Sequence, residues 1–390
     1  MSIVRWILVV VVVLAVMVVG SLTASPDGWQ LALRWAAERE AQWQAIPECP
    51  VLQGEVAPGS SFAGYIEANR LAGDFRAHEA RLRELAEAEG EAAVPTAADR
   101  QVLADLEPAV QVLRDAAHRQ GPRAAEGSSL DFLDIFGPID ALLLAARDRN
   151  RRGDAAGAVC CLLDAVACGT DLTSSELPLT QAIGALLVER AACAFDDALL
   201  GAADAALLAR VDTALAQADA ALHVEAHLLS RCALHLVRML RDNEQVTAWD
   251  LGMASPLQAW RHGFSVRRSG MARVADLVDL VQRFESATPA FETWPARKPR
   301  LEAAVAEDRA NNADLHDALL TNSVELEEQA RHGLAGLRLL RLAVAFHRRE
   351  SLPQLADPFG AGGLAVHEHA DEASFSSAGA RLERTARRRP

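Results

Sequence analysis

An uncharged run of eighteen residues near the start of the chain constrains the fold more than any other feature of the sequence. It extends from Trp6 to Thr23 and contains an unbroken apolar stretch from Ile7 to Val19. At a rise of about 1.5 Å per residue, a helix of this length comes close to the roughly 30 Å hydrocarbon thickness of a bilayer. The run therefore predicts a transmembrane anchor within residues 1–24. A cleaved signal peptide is the alternative, because Val19-Gly20-Ser21 near the end of the run is a passable cleavage site.

The charges beside this run predict its orientation. Arg5 and the terminal amino group precede it, and Asp27 follows it. The positive-inside rule then places the amino terminus in the cytoplasm and residues 25–390 on the other side of the membrane. Arg34 and Arg39 oppose this orientation, since they too lie near the end of the run.

The charged residues exclude several functional classes. The chain holds 39 Lys+Arg against 53 Asp+Glu, a net charge of −14, and Lys298 is its one lysine. Lys298 lies between Arg297 and Pro299, outside any Gly-Lys-Ser/Thr loop, so the chain is not a P-loop NTPase. An acidic chain repels the phosphate backbone, and nucleic acid is not an expected partner.

Helical periodicity dominates the chain after the anchor. Alanine, leucine, arginine and glutamate prevail, apolar residues recur at spacings of three and four, and strand-like alternation is confined to the last thirty residues. The pattern predicts a mainly α fold with a short C-terminal β-hairpin. Residues 138–168, with a turn at Gly153 and Asp154 as N-cap, resemble one tetratricopeptide-type helical pair, which predicts a solenoid-like body of antiparallel helices.

Composition shifts divide the chain into five segments. The predicted boundaries give a transmembrane anchor at 1–24, an N-terminal helical region at 25–125, the main helical body at 126–350, a turn and hairpin at 351–380, and a basic disordered tail at 381–390. Within the second segment, Thr96 and Asp99 have the spacing of a capping box. Single helices are predicted over about 62–91 and 299–349, and Pro108 is expected to kink or divide its helix.

Two histidines are the best metal-ligating candidates. His223 and His227 lie one helical turn apart, a spacing that can bind zinc, and Asp219 shares their face. Because no HExxH motif and no fourth ligand accompany them, we interpret them as core or groove histidines, with a metal site as the alternative. The sequence indicates no catalytic residue and no cofactor.

Other reactive side chains have structural explanations. The six cysteines are interpreted as small buried residues, although Cys161 and Cys168 share a helix face that Cys193 or Cys232 could meet in a disulfide. His367, His369 and Asp371 alternate along the predicted hairpin, where polar alternation is normal for a strand that faces solvent.

An Asp-Pro-Phe-Gly segment is the most distinctive motif of the chain. Pro358 fixes its own φ angle, Asp357 can accept hydrogen bonds from backbone amides, and Phe359 can fill the core beneath the turn. Gly360 and the glycines that follow permit a sharp return of the chain. We therefore expect residues 357–360 to be a structural motif.

The helical runs and this motif together resemble a known group of sequences. The segments LEPAVQVLRDAA, ALLLAARDRNRRGDAAGAVCCLLDAVACG and LRLLRLAVAFHRRESLPQLADPFGAGGL are similar to a family of uncharacterised bacterial membrane-anchored helical proteins. The ending also resembles the C-terminal part of type II secretion pseudopilins, in which Asp-Pro-Phe-Gly precedes two strands. The N-terminus lacks the Gly-Phe-Thr-x-x-Glu processing site of a true pseudopilin.

The anchor and the stacked amphipathic helices predict a non-enzymatic scaffold or protein-binding module, because stacked helices of the repeat-protein kind create extended binding surfaces. The resemblance implies a place in the bacterial cell envelope and brings no enzymatic activity with it. The location of the module would be the inner (cytoplasmic) membrane, with one span at residues 6–23 in contact with the lipid bilayer and the bulk of the chain on the extracytoplasmic side. Its partner would be another envelope protein. The alternatives are a component or mimic of a type II secretion or pilus-like assembly and a metal-dependent enzyme that uses His223 and His227.

Overall fold

The chain is mainly helical, as predicted, and ends in a small antiparallel sheet. The computed structural model describes residues 28–45, 50–87, 95–119, 134–175, 178–222, 228–241, 266–287, 293–311, 323–360, 362–369, 371–377 and 383–387. The predicted membrane anchor at 6–23 lies outside these residues.

The helices and strands follow one another in a simple order. The helices are α1 (Trp29–Ala45), α2 (Ser61–Ala72), α3 (Glu79–Glu87), α4 (Ala97–Ala117), α5 (Phe136–Arg151), α6 (Ala155–Thr173), α7 (Pro178–Ala194), α8 (Asp197–Ala202), α9 (Ala205–Ala221), α10 (Leu228–Arg241), α11 (Val266–Ala287), α12 (Trp294–Asn311) and α13 (Ser323–His347). A 3₁₀ helix (Gly73–His78) joins α2 to α3. The strands are β1 (Ala365–His369), β2 (Glu372–Ser376) and β3 (Glu383–Arg387).

The first of two compact units lies within residues 1–46, 226–292 and 296–324. In it α1, α10 and α11 pack against one another, with Trp35 of α1 buried. Glu40 of α1 accepts hydrogen bonds from Arg238 at 2.7 Å and from Arg241 at 3.0 Å, both on α10. These ion pairs align the charged edge of α1 with that of α10.

The second unit lies within residues 47–225, 293–295 and 325–390 and is built around α6. This helix packs against α4, α5, α7 and α9, and almost all of its residues from Ala158 onwards are buried. Among the described helices, α6 alone has the length and hydropathy to span a bilayer. Since 78% of its most apolar window is buried by other helices, its apolar character is explained by its place in the core.

Helix caps confirm two details that the sequence predicts. The Thr96 hydroxyl accepts a hydrogen bond from the Asp99 amide, and the Asp99 carboxylate accepts one from the Thr96 amide, which completes the capping box of α4. At the start of α6, Asp154 accepts from the Gly157 amide at 2.8 Å. Gly153, with φ of +81°, turns the chain between α5 and α6.

Glycines allow three helices of the second unit to approach one another closely. A Cβ atom on Gly184 of α7 would lie 2.5 Å from the carbonyl oxygen of Gly169 of α6. A Cβ atom on Gly333 of α13 would lie 2.5 Å from the carbonyl oxygen of Ala185 of α7. The backbones of α6, α7 and α13 therefore touch where these glycines meet.

The predicted hairpin is corrected to a three-stranded sheet of order β1-β2-β3. β1 and β2 pair antiparallel from Ala365 with Ser376 to His369 with Glu372, and β2 pairs antiparallel with β3. The prediction of a disordered tail over 381–390 is wrong for residues 383–387, which form β3. Ala386 of β3 is fully buried, and α8 packs against this strand.

Three helix predictions are also corrected. The helix predicted over 62–91 is interrupted by the 3₁₀ segment at 73–78, and the one predicted over 299–349 is two helices, α12 and α13. Pro108 does not divide α4, which runs through it. The second unit contains described residues from both sides of the boundary predicted at 125.

Alanine at position 184 tests the close approach of α6 and α7. Gly184→Ala should lower the free energy of unfolding by about 2 kcal/mol or more, because its Cβ meets backbone atoms that cannot rotate away. Gly137→Ala in α5 is the control, since its Cβ meets nothing within 4 Å and should change stability by less than about 1 kcal/mol. Thermal unfolding of the full-length variants measures both, and equal effects would contradict the packing.

Candidate functional site

The predicted histidine pair lies outside the described residues, but its third candidate ligand does not. Asp219 accepts a hydrogen bond from Nε of Arg338 at 3.0 Å and forms an ion pair with Arg341. Its carboxylate therefore joins α9 to α13. Across the described part of the chain, no three His, Cys, Asp or Glu side chains are grouped as metal ligands.

The cysteines show no cross-link where the structure describes them. Cys160, Cys161, Cys168 and Cys193 are free thiols. Burial raises the pKa of Cys161 and raises that of Cys168 still further, so these two thiols stay protonated at neutral pH. They pack as small apolar residues within α6.

The Asp-Pro-Phe-Gly segment forms a turn that its aspartate holds together. The Asp357 carboxylate accepts hydrogen bonds from the Phe359 amide at 3.0 Å and from the Ser377 hydroxyl at 2.6 Å. Phe359 is buried, with its ring centroid 4.8 Å from that of His332. Because Ser377 follows β2, Asp357 also links the turn to the sheet.

A buried arginine lies beneath this turn. Arg331 of α13 is only 1% exposed, donates to Glu327 Oε1 at 2.9 Å, and donates to the carbonyl oxygen of Pro358. One turn of helix separates Glu327 from Arg331, so the pair forms within α13. The guanidinium thereby fixes the turn to the helix.

The first strand of the sheet is a partly covered edge. Among the described strands, β1 pairs with β2 alone, and all five of its residues are exposed. On its other side, the Leu364 amide donates to the carbonyl oxygen of Leu355 at 3.1 Å, and the Asp357 amide donates to that of Gly362 at 2.8 Å. This covering segment pairs with the residues just before β1, not with β1 itself.

A buried polar cluster that none of the sequence-based site predictions included lies around Asp164 of α6. This carboxylate has no exposed surface, and Arg114 of α4 donates to it at 2.8 Å. Nε2 of His118 lies 3.3 Å from the same carboxylate. Gln53 donates through Nε2 to Asp164 and to the carbonyl oxygen of Cys160, the latter at 2.8 Å. Helix α4 with its C-cap residue, the segment at Gln53 and helix α6 therefore meet at one carboxylate.

Burial dominates the electrostatics of this cluster. It raises the pKa of Asp164 because a charged carboxylate loses its hydration inside the protein. Hydrogen bonds from Arg114 and Gln53 stabilise the carboxylate and offset part of that effect. The cluster is thus a buried ion pair whose acid is less acidic than an ordinary aspartate.

A cleft of about 370 Å³ opens beside this cluster. It lies between the segment Val51–Gly54 and helix α9, with Leu163 of α6 also lining it. Three polar residues of α9 complete its wall: Arg210, Thr213 and Gln217. Gln53 belongs both to the cleft and to the cluster, so the buried carboxylate holds one wall of the cleft in place.

Sequence reasoning missed the cluster, although one signal pointed to it. Asp164 and Asp171 interrupt an otherwise apolar helix, and a charged residue on a buried face must have a partner. Asp171 accepts from the Tyr65 hydroxyl at 2.7 Å. Arg114 lies 50 residues from Asp164 and Tyr65 lies 106 residues from Asp171 in the chain, where no local pattern marks them.

Comparison with protein-family models, with curated proteins and with solved structures gives no match for this chain. The resemblance to membrane-anchored helical proteins and to pseudopilins therefore stays a prediction.

Replacing Asp164 by asparagine tests the electrostatics of the cluster. A folded-state pKa above the unfolded value of 3.8 means that the stability contributed by Asp164 is greatest below that value and is lost as pH rises through the raised pKa. Asp164→Asn keeps an acceptor for Arg114 but cannot ionise. The melting temperature of this variant should therefore rise relative to that of the unsubstituted chain as pH increases above about 4.

The matched control is Asp115→Asn, which makes the same change in net charge at an exposed position of α4. Thermal unfolding of the full-length protein over a pH series measures both variants. The melting temperature of Asp164→Asn minus that of the unsubstituted chain should rise with pH. If this difference stays constant with pH, or falls, the pKa of Asp164 is not raised.

Proposed function

We propose that the chain is a membrane-anchored, non-enzymatic protein-binding module of the bacterial cell envelope. Residues 6–23 would cross the inner membrane once, and the helical body would stand on the extracytoplasmic side. In α5, α6 and α7, successive helices pack on one another, and we propose that this stacking is solenoid-like. Another envelope protein would bind this body.

The incomplete cover of the C-terminal sheet is the observation that carries the proposal. At its far edge, the Arg387 amide of β3 donates to Asp197 Oδ1 at 3.0 Å, and α8 packs against the strand. At its near edge, the cover given by Leu355 ends at Leu364, before β1 begins. Exposed edge strands pair readily with other chains, and proteins usually block them. Within the described part of the chain, the backbone pairing that covers this edge ends before the five exposed residues of β1.

The direction of the backbone amides makes β1 a template for strand addition. Amide groups alternate sides along a strand, and that of Leu364 points away from β2 towards Leu355. The Val366 amide, two residues further on, therefore points to the same open side. An extended segment of a partner could lie along this open side, beyond the position that Leu355 covers. It would pair with β1 as a fourth strand.

The charges around β1 favour a basic segment as the partner. Glu368 lies in the strand and Asp371 follows at its end, both exposed, whereas Glu372 is paired with Arg387 of β3. A second copy of this chain would bring the same acidic residues together, and like charges across paired strands are destabilising. A different protein that offers lysine or arginine at alternate positions fits this edge.

Proline at position 366 tests strand addition directly. Val366→Pro removes the outward amide and leaves the hydrogen bonds between β1 and β2, so the sheet should remain while the partner is lost. We expect a photo-crosslinker placed at exposed His367 of the membrane-embedded full-length protein to give one discrete adduct. The Val366→Pro substitution should reduce that adduct by about tenfold or more.

Two variants keep this experiment interpretable. Val366→Thr retains the amide and should retain the adduct, while a crosslinker at Leu179 of α7, which is 42% exposed, should not give it. Melting temperatures confirm that the proline variant is folded. An adduct that survives Val366→Pro would rule out strand addition, and the absence of any adduct from β1 would contradict protein binding at this edge.

A further inference from the structure

We propose that the cleft between residues 51–54 and α9 binds a small carboxylic acid with a short apolar chain. This site is separate from the sheet edge and does not depend on the protein-binding proposal. Its volume of about 370 Å³ lies at the small end of the range found for ligand sites.

The charge of the cleft selects an anion. Arg210 is exposed and is the one charged residue among those lining the cleft. Within the described residues, no carboxylate forms a salt bridge with it, whereas nearby Asp212 is held by Arg348 at 2.6 Å. A guanidinium that projects into a cleft without acidic residues favours a carboxylate, to which it can donate two hydrogen bonds.

The neutral polar residues add donors and acceptors around this cation. The Thr213 hydroxyl donates to the carbonyl oxygen of Ala209 at 3.0 Å. Its oxygen can therefore accept a hydrogen bond only from an N–H or O–H group elsewhere on the ligand, because a carboxylate has no hydrogen to donate. Gln217 supplies an exposed amide one turn further along α9. Gln53 commits Nε2 to the buried cluster, which leaves its carbonyl oxygen as an acceptor.

Apolar side chains provide the second part of the recognition. Val51, Leu52, Leu163 and Ala209 line the cleft beside the polar groups. Leu52 and Leu163 are already buried, so a ligand that placed its carboxylate on Arg210 would lay its hydrocarbon part against Val51 and Ala209, which are partly exposed, and remove their surface from water. A doubly charged or fully polar anion would gain nothing from this surface.

The wall formed by residues 51–54 is held in position before any ligand binds. Gly54 has φ of +72°, and a Cβ atom there would come within 2.9 Å of Nδ1 of His118. His118 is in turn 3.3 Å from the Asp164 carboxylate. The buried cluster fixes both Gln53 and the backbone at Gly54. Binding of a ligand therefore costs little conformational entropy in this wall.

Binding of two acids and their neutral amides tests the proposal. The probes are hexanoate with hexanamide, and N-acetyl-leucine with N-acetyl-leucinamide, titrated into the full-length protein in a non-ionic detergent and followed by saturation-transfer NMR. We expect each acid to bind about tenfold more tightly than its amide, the ratio typical of one charge-assisted hydrogen-bonded pair. Arg210→Gln should reduce binding of the acid to that of the amide.

A second pair of variants distinguishes the cleft from the rest of the surface. Thr213→Trp fills the cleft from an exposed position of α9 and should abolish binding of both probes, while Ala98→Trp, exposed on α4, should not. Arg151→Gln, exposed at the end of α5, controls for the loss of one arginine. Equal affinity for acids and amides, no binding of either, or acid binding that survives Arg210→Gln or Thr213→Trp would overturn the proposal.

Discussion

The close approach of α6, α7 and α13 is the constraint on which the rest of the second unit depends. Gly169 and Gly184 bring the backbones of α6 and α7 together, and Gly333 brings that of α13 onto α7. Helices that touch through their backbones leave no room for side chains between them, so larger residues must turn outwards to meet α4, α5 and α9. The short side chains that make this sequence look unspecific therefore determine which helices form its centre.

That packing places acidic residues of the central helices where water cannot reach them. Asp164 of α6 meets Arg114 of α4, and Asp140 of α5 meets Arg190 of α7. A buried charge that loses its partner is strongly destabilising, so alternative arrangements of the helices that separate these pairs are disfavoured. In an alanine-rich body whose helices have similar apolar faces, such pairs distinguish the native neighbours from the others.

The part of the fold that could be predicted from the sequence is the part encoded locally. Two helix caps are encoded by a few adjacent residues: the capping box of Thr96 and Asp99, and the N-cap at Asp154. The structure confirms both. The strand β3 could not be predicted in the same way, because the arginines of its segment hide the alternation that buries Ala386. This strand forms by pairing with β2 and by packing against α8, and α8 lies far away in the chain.

The two surfaces proposed for binding share one physical feature, since each is positioned by a buried polar group that touches no ligand. Asp164 holds Gln53 at the wall of the cleft. On the sheet side, the buried Arg331 donates to the carbonyl oxygen of Pro358, which fixes the segment that covers the start of β1. Recognition requires surfaces that keep their shape, and loops gain that rigidity from satisfied buried hydrogen bonds beneath them. The partners of Asp164 and Arg331 offset part of the free-energy cost of burying these charges, and the same hydrogen bonds hold both segments in place.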